Sequence, residues 1–217
     1  MKRRVAILIS GRGSNMAALI QAAAVEDYPA EIAVVVANRV DAGGLEKAKA
    51  AGIPAVAVES KPFGKDRAAF EAALQAVLDQ HRIDLICLAG FMRLFTADFV
   101  RRWYGRMLNI HPSLLPSFPG LDPHGQALRA GVKISGATVH FVIPETDAGP
   151  ILMQGAVAVS DHDIAETLAE RVLEVEHHIY PEALRLLASD GVRLEDGICK
   201  TMAGAGSGNF LISPLAH

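Results

Sequence analysis

From Val5 to Ile110, short apolar runs alternate with stretches of helical spacing, and that alternation restricts the fold more than any other property of the chain. The runs at 5–9, 32–37, 55–58, 83–89 and 107–110 read as strands, and those at 15–24, 44–51, 65–80 and 96–103 as helices. Within 65–80, Phe70, Ala73, Leu74, Val77 and Leu78 recur at helical spacing, while Asp66, Glu71, Gln75 and Asp79 fall elsewhere around the wheel. Repetition of strand and helix in this manner folds as right-handed βαβ units on a parallel sheet. The strands are apolar throughout instead of alternately polar, so helices are expected over both faces.

Beyond Ile110 the pattern changes. Pro112, Pro116, Pro119, Gly120 and Pro123 crowd into one stretch, which reads as a loop. A helix is expected at 124–130, β runs at 136–143 and 151–159, and a long helix at 164–188. The run at 136–143 suits an antiparallel addition. The fold expected is therefore α/β: an open, mostly parallel, twisted sheet with helices on both faces and an antiparallel addition at one edge. No internal repeat, heptad run or linker interrupts the chain, so 1–199 is read as a single domain with halves at 1–100 and 101–199. The Gly/Ala/Ser-rich stretch at 200–208 makes 200–217 a loosely ordered tail.

Composition narrows the function classes. A chain of 217 residues buries about 70% of its unfolded surface and needs no metal or disulfide staple to fold. A net charge of −3 argues against a general nucleic-acid binder. Cys87 lies in an apolar run and Cys199 is far from it, which fits reduced thiols in a cytosol. The apolar run after the basic N-terminus stops at Gly11 and Arg12, too short for a signal peptide, and no run approaches a membrane span of about 20 residues. A soluble, cytoplasmic protein is expected. The sequence leaves open a monomer or a homodimer.

Three features can carry chemistry. S-G-R-G-S-N at 10–15 follows the first strand and opens the first helix. Its third fingerprint position is Met16 and no acidic residue follows the second strand, so a dinucleotide site is not satisfied. The loop serves either as a tight β-to-α turn with Ser14 or Asn15 as N-cap, or as a cradle for a monophosphate. Second, Asn109 and His111 point to one side at the carboxyl end of a strand, with Ile110 on the other. An amide beside an imidazole suits acyl transfer, the amide for the oxyanion and the histidine for the proton. A pair like this also serves local hydrogen bonding. Third, E-T-D-A-G-P at 145–150 reads as a turn, or as a source of a carboxylate, Asp147, that raises the pKa of a histidine. His162, His177 and His178 lack a ligand pattern, so no metal is expected. His124 and His140 border the suspected site. Ser113 has no nucleophile elbow.

Together these segments resemble the folate-dependent formyltransferase family, in the branch acting on phosphoribosylglycinamide. The resemblance runs from Val5 to Val192 and is carried by L-I-S-G-R-G-S-N at 8–15, L-A-G-F-M-R at 88–93, L-N-I-H-P-S-L-L-P at 108–116, P-G-L at 119–121, V-H-F-V at 139–142, D-A-G-P-I at 147–151 and E-H-H-I-Y-P at 176–181. It implies a Rossmann-like formyltransferase fold with a phosphate-binding first half and a folate-binding, catalytic second half. It further implies transfer of the formyl group of 10-formyltetrahydrofolate to the amine of 5-phosphoribosylglycinamide, in de novo purine (IMP) biosynthesis. The implied catalytic residues are Asn109, His111 and Asp147. Gly13, Ser14 and Asn15 would hold the substrate phosphate, and Glu176 its ribose or glycinamide part. Folate would lie along Met92, Arg93, Leu94 and Phe95, along Ile143, Pro144, Glu145, Thr146 and Asp147, and near Arg67. The bond from Leu115 to Pro116 matches the family's cis-proline position.

The chain departs from the family at Asp122, Pro123 and Gly125, where His, Thr and Arg are frequent, and at 173–175. A methionyl-tRNA formyltransferase would carry a further C-terminal nucleic-acid domain, and a formyltetrahydrofolate hydrolase a regulatory domain before the first strand; neither is expected here. A sugar-nucleotide formyltransferase shares the three catalytic residues and is separated by substrate. From another class, a flavodoxin-like signalling module would explain the βα alternation but not the Asn109/His111 pair.

Overall fold

The computed structural model describes residues 1–202 and the backbone of Ile212–Ser213. The chain forms two compact units, Met1–Leu108 and Asn109–His217.

In the first unit, β1 (Arg3–Ile9) runs parallel to β2 (Ala30–Ala37) on one side and to β4 (Leu85–Leu88) on the other, and β3 (Ala55–Ala57) pairs with β2. Successive strand residues face opposite ways, and Val5, Ala6, Ile7, Leu8 and Ile9 are all 0% exposed, so both faces of β1 are covered. The helices are α1 (Ser14–Ala23), α2 (Gly44–Ala50), α3 (Arg67–Gln80) and α4 (Ala97–Arg102). Helix α3 starts where the Asp66 carboxylate accepts the Ala69 N–H at 3.0 Å, and it buries Phe70, Leu74 and Leu78 at the spacing its sequence set out. Thr96 caps α4 in the same way through the Phe99 N–H.

Strand β5 (Met107–His111) closes the first unit with Met107 and Leu108 and opens the second with Asn109. The second unit continues with α5 (Pro123–Arg129), β6 (Ile134–Phe141), β7 (Ile151–Ala158), α6 (Ala165–Ala188), β8 (Val192–Glu195), β9 (Ile198–Thr201) and β10 (Ile212–Ser213). Strands β6, β7 and β10 pair antiparallel, the edge addition that the sequence pointed to, on an otherwise mostly parallel arrangement. Gly136 is required at this crossing: a Cβ there would lie 2.0 Å from the Gly155 carbonyl oxygen. The pairing slips between Val139 and His140, which face Met153 and Ile151 and leave Leu152 as the extra residue of a bulge.

Several boundaries move. The helix expected at 124–130 begins at Pro123, whose fixed φ suits the first helical position, and the strand expected at 136–143 occupies Ile134–Phe141. Neither Ser14 nor Asn15 is the N-cap of α1; Gly13 takes that position with φ 67°, a left-handed conformation that costs glycine little. The β8–β9 hairpin was not anticipated. Asp196 and Gly197, both at positive φ, form its two-residue turn. Of the tail at 200–217, Lys200 and Thr201 belong to β9, while 203–211 and 214–217 lie outside the described residues. Among the described residues no helix is long and apolar enough to cross a membrane.

Candidate active site

At the end of β5, alternation turns Asn109 and His111 to one side and buries Ile110 on the other. The proline-rich segment that follows is fastened to β6 and β7 by neutral polar groups. Thr138 Oγ1 accepts the Leu115 N–H at 3.0 Å and donates to the Ser113 carbonyl at 2.7 Å, and Gln154 Nε2 donates to the Leu115 carbonyl at 2.9 Å. The Leu115–Pro116 peptide is cis, as the resemblance implied.

His111 is 6% exposed. Its Nε2 lies 3.0 Å from the Phe118 carbonyl, which only accepts, so Nε2 carries a proton and donates it there. Its Nδ1 faces Asp147 Oδ2 at 3.5 Å, a contact that becomes an ion pair when the imidazole is protonated. Asp147 stands in the left-handed region at φ 54°, and its carboxylate is buried despite lying on a turn. Oδ2 also accepts the Gly120 N–H at 2.9 Å, and Oδ1 lies 3.9 Å from His140 Nε2.

His140 completes the cluster. Its Nδ1 donates to the Phe141 carbonyl at 3.0 Å, which leaves Nε2 as the acceptor for the Asn109 amide N–H at 3.1 Å. Burial pushes the His140 imidazole below its ordinary value; the Phe141 carbonyl and Asp147 oppose that shift, and His111 adds to it. A neutral His140 is the state that can accept from Asn109. The amide is thereby oriented: its nitrogen faces His140, and its second N–H is left for another acceptor. The glycine of D-A-G-P is explained at the same spot, since a Cβ on Gly149 would lie 1.8 Å from the Phe141 carbonyl and 3.4 Å from His140 Nδ1. His124 is half-buried, and burial pushes its imidazole down as well, against the pull of Asp122.

The second unit thus brings Asn109, His111 and Asp147 into one cluster, through the His140 hydrogen bond to Asn109 and the contacts of Asp147 with His111 and His140. Sequence reading missed how much it depends on His140, Phe118 and Gly120. The V-H-F-V motif and the loop glycine were the available signals, but neither a tautomer nor a backbone donor is visible in residue types. Of the remaining residues expected in this unit, Ile143 is half-buried, Pro144, Glu145 and Thr146 are exposed on the turn leading to Asp147, and Glu176 is buried on α6.

In the first unit, Gly13, Ser14 and Asn15 form the start of α1, where the first backbone N–H groups of a helix have no carbonyl in a preceding turn. Gly44 braces this loop. Its N–H donates to the Gly11 carbonyl at 3.0 Å, and a Cβ on it would meet Ile9 Cδ1 at 2.4 Å and the Gly11 carbonyl at 3.2 Å. Ser10 links the loop to the segment 90–95: its N–H donates to the Gly90 carbonyl and its Oγ accepts the Met92 N–H at 2.7 Å. Met92 and Leu94 are exposed, while Phe95 stacks between Phe91 and Phe99 with centroids at 5.3 and 4.7 Å. Arg93 is drawn back over the Phe70 ring and donates to the Gly64 carbonyl at 3.0 Å. Arg67, the first residue of α3, is exposed.

An amide donor and an imidazole at a strand end, faced by a carboxylate from a neighbouring turn, are the groups that acyl-type transfer uses. Residues 3–184 match the formyl transferase family, and the chain belongs to that family. The trifunctional purine biosynthetic protein adenosine-3 of Bos taurus is 52% identical over 91% of this chain, which spans 20% of that protein's length. Phosphoribosylglycinamide formyltransferase of Bacillus subtilis is 42% identical over 85% of this chain and 94% of its own. The crystal structure of glycinamide ribonucleotide transformylase 1 from Symbiobacterium toebii superimposes with a TM-score of 0.89 at 44% identity, covering 92% of this chain and 94% of that one.

Proposed function

We propose that this enzyme transfers the formyl group of 10-formyltetrahydrofolate to the amine of 5-phosphoribosylglycinamide, releasing tetrahydrofolate, as a step of de novo purine biosynthesis in the cytosol. The observation that carries the reading is the buried contact between His111 Nδ1 and Asp147 at 3.5 Å beside an amide fixed by His140. Relatives matched over nearly their full length bear the name of this activity.

The substrate amine attacks the formyl carbon and forms the new C–N bond. The resulting oxyanion is held by the second N–H of Asn109 and, once Nδ1 has taken the amine's proton, by the positive charge of the His111 imidazolium. Because Nε2 of His111 is engaged by Phe118, Nδ1 is the nitrogen that exchanges the proton. It takes the proton released by the amine and delivers it to the folate nitrogen as the old C–N bond breaks. Asp147 stabilises the imidazolium between those two transfers, as a paired carboxylate does in a dry site.

Binding roles follow from residue chemistry. The helix start at Gly13, Ser14 and Asn15 suits a phosphate dianion, favoured by backbone N–H groups and the positive end of the helix dipole. Glu176 accepts from the ribose hydroxyls or glycinamide. Met92, Leu94 and Phe95 offer apolar surface to the pterin, Arg93 and Arg67 offer charge to the glutamate, and the turn from Ile143 to Asp147 offers backbone polar groups.

A spectrophotometric assay with 10-formyl-dideazafolate tests the reading, run with glycinamide ribonucleotide, with water alone, and with other amines including amino-sugar nucleotides. Turnover that depends on glycinamide ribonucleotide is expected. Equal turnover in water assigns a hydrolase, and turnover only with amino sugars assigns a sugar-nucleotide formyltransferase. Sedimentation of the same sample separates monomer from homodimer.

A further inference from the structure

Both partners of the catalytic pair are gripped by one loop, 117–121. It supplies the Phe118 carbonyl that accepts from His111 Nε2, and the Gly120 N–H that donates to Asp147 Oδ2. The loop is not held by regular secondary structure, and Phe118, Gly120 and Asp122 within it and at its end all stand at positive φ, 56°, 77° and 55°. For the bulky Phe118 that conformation persists only where the surroundings impose it.

Gln126, on α5, makes two of the contacts that impose it. Its Nε2 donates to the Pro119 carbonyl at 3.2 Å and to the Leu121 carbonyl at 2.8 Å. Both partners only accept, so the amide orientation is determined: the flipped form would set its oxygen against two carbonyl oxygens. The Pro119 carbonyl belongs to the same planar peptide as the Gly120 N–H. Fixing that oxygen fixes the direction of the N–H on the opposite side, and donation to the oxygen polarises the N–H toward its acceptor. A continuous relay therefore runs from the Gln126 amide through one peptide bond to the Asp147 carboxylate.

The helix carrying Gln126 is anchored by the residues that depart from the family pattern. Asp122 Oδ1 accepts the Gly125 N–H at 3.2 Å, Oδ2 accepts two Arg129 N–H groups at 3.1 Å, and the Asp122 carbonyl accepts the Gln126 N–H at 3.0 Å. A Cβ on Gly125 would lie 2.4 Å from Asp122 Oδ2, so glycine at 125 accompanies aspartate at 122.

We infer that Gln126 is a positioning residue for formyl transfer, acting on Asp147 through the peptide between Pro119 and Gly120. The inference rests on the proposed function for its kinetic readout, and on geometry alone for its spectroscopic one. Three variants separate donation from mere bulk: Gln126→Met removes the donors, Gln126→Glu replaces them with an acceptor, and Gln126→Lys keeps a donor of similar reach. Met and Glu are expected to lower kcat about tenfold, with KM for both substrates within about twofold, and Lys to stay within about threefold of the parent. The 15N resonances of the His111 imidazole should move in Met and Glu and stay in Lys. If the Met variant does not fold, the contrast between Glu and Lys decides the matter. Parental kcat and unmoved His111 resonances in Met, or a Lys variant as impaired as Met, would overturn the inference. Should the parent fail to formylate glycinamide ribonucleotide, the proposed function falls, and the His111 resonances alone still decide whether Gln126 positions the pair.

Discussion

The loop that opens α1 and the cluster at the end of β5 are built in opposite ways. The first is made of backbone: Gly13 at positive φ caps the helix without a side chain, and Gly44 approaches so closely that Cβ atoms are excluded from the contact. The second is made of side chains each directed by another group, Asn109 by His140, His111 by Phe118, Asp147 by Gly120. Holding a phosphate, the role proposed for the first, requires many weak donors in an open shape, which glycine and a helix terminus provide. Moving a proton, the role proposed for the second, requires one donor and one acceptor held in a fixed tautomer, which a directed network provides.

Mutation should separate the two regions. The largest effect is expected at the cluster: Asn109→Ala and His111→Ala should each lower kcat by at least ~10² while the variants remain folded by circular dichroism, the scale for loss of an oxyanion donor or of acid–base help. Near-parental kcat in either would remove that residue from the mechanism. Gly13→Ala should instead raise KM for the phosphorylated substrate about tenfold with kcat unchanged, because a uniform binding contact is lost. It should also lower stability by about 1–2 kcal/mol, the cost of a side chain in the left-handed region, read as a drop in Tm. A fall in kcat as large as that of His111→Ala would mean that the two regions do not divide binding from chemistry.

The smallest effect concerns pH. Burial holds His140 below its ordinary value, so the unfolded chain binds the proton more readily than the folded one. Stability is therefore full above the unfolded value of ~6.5 and falls as the pH drops below it, with His124 and His177 contributing in the same sense. Denaturant unfolding between pH 7 and pH 5 should show that slope, and His140→Gln, which keeps a side-chain acceptor for Asn109, should flatten it. An unchanged slope would place the coupling on other groups.

Much of the fold was written in residue order. The continuous apolar character of 5–9 fitted only a strand covered on both faces, and the spacing of Phe70, Leu74 and Leu78 fitted only a helix with one buried side. The β8–β9 hairpin carries a two-residue turn signal in its Asp196-Gly197 pair, but its flanking strands are short and half-exposed and give no strong apolar pattern beside it. The cap of α1 was misjudged for a different reason: Ser14 and Asn15 have the right chemistry, but capping is decided by the dihedral of the residue that precedes the helix, and Gly13 could reach it.

By itself the sequence determined the strand and helix periods, the shared side of Asn109 and His111, and the proline-rich character of the loop after them, because these depend on local geometry that repeats every two or 3.6 residues. Only the tertiary structure decided that Asp147 turns its carboxylate inward, that His140 offers Nε2 to an amide, and that Gln126 grips the peptide binding that carboxylate. The contacts of Asp147 and His140 join residues far apart in the chain, the grip of Gln126 depends on the path of an irregular loop, and the proton on a ring nitrogen is set by whatever the other nitrogen meets, which no local pattern encodes.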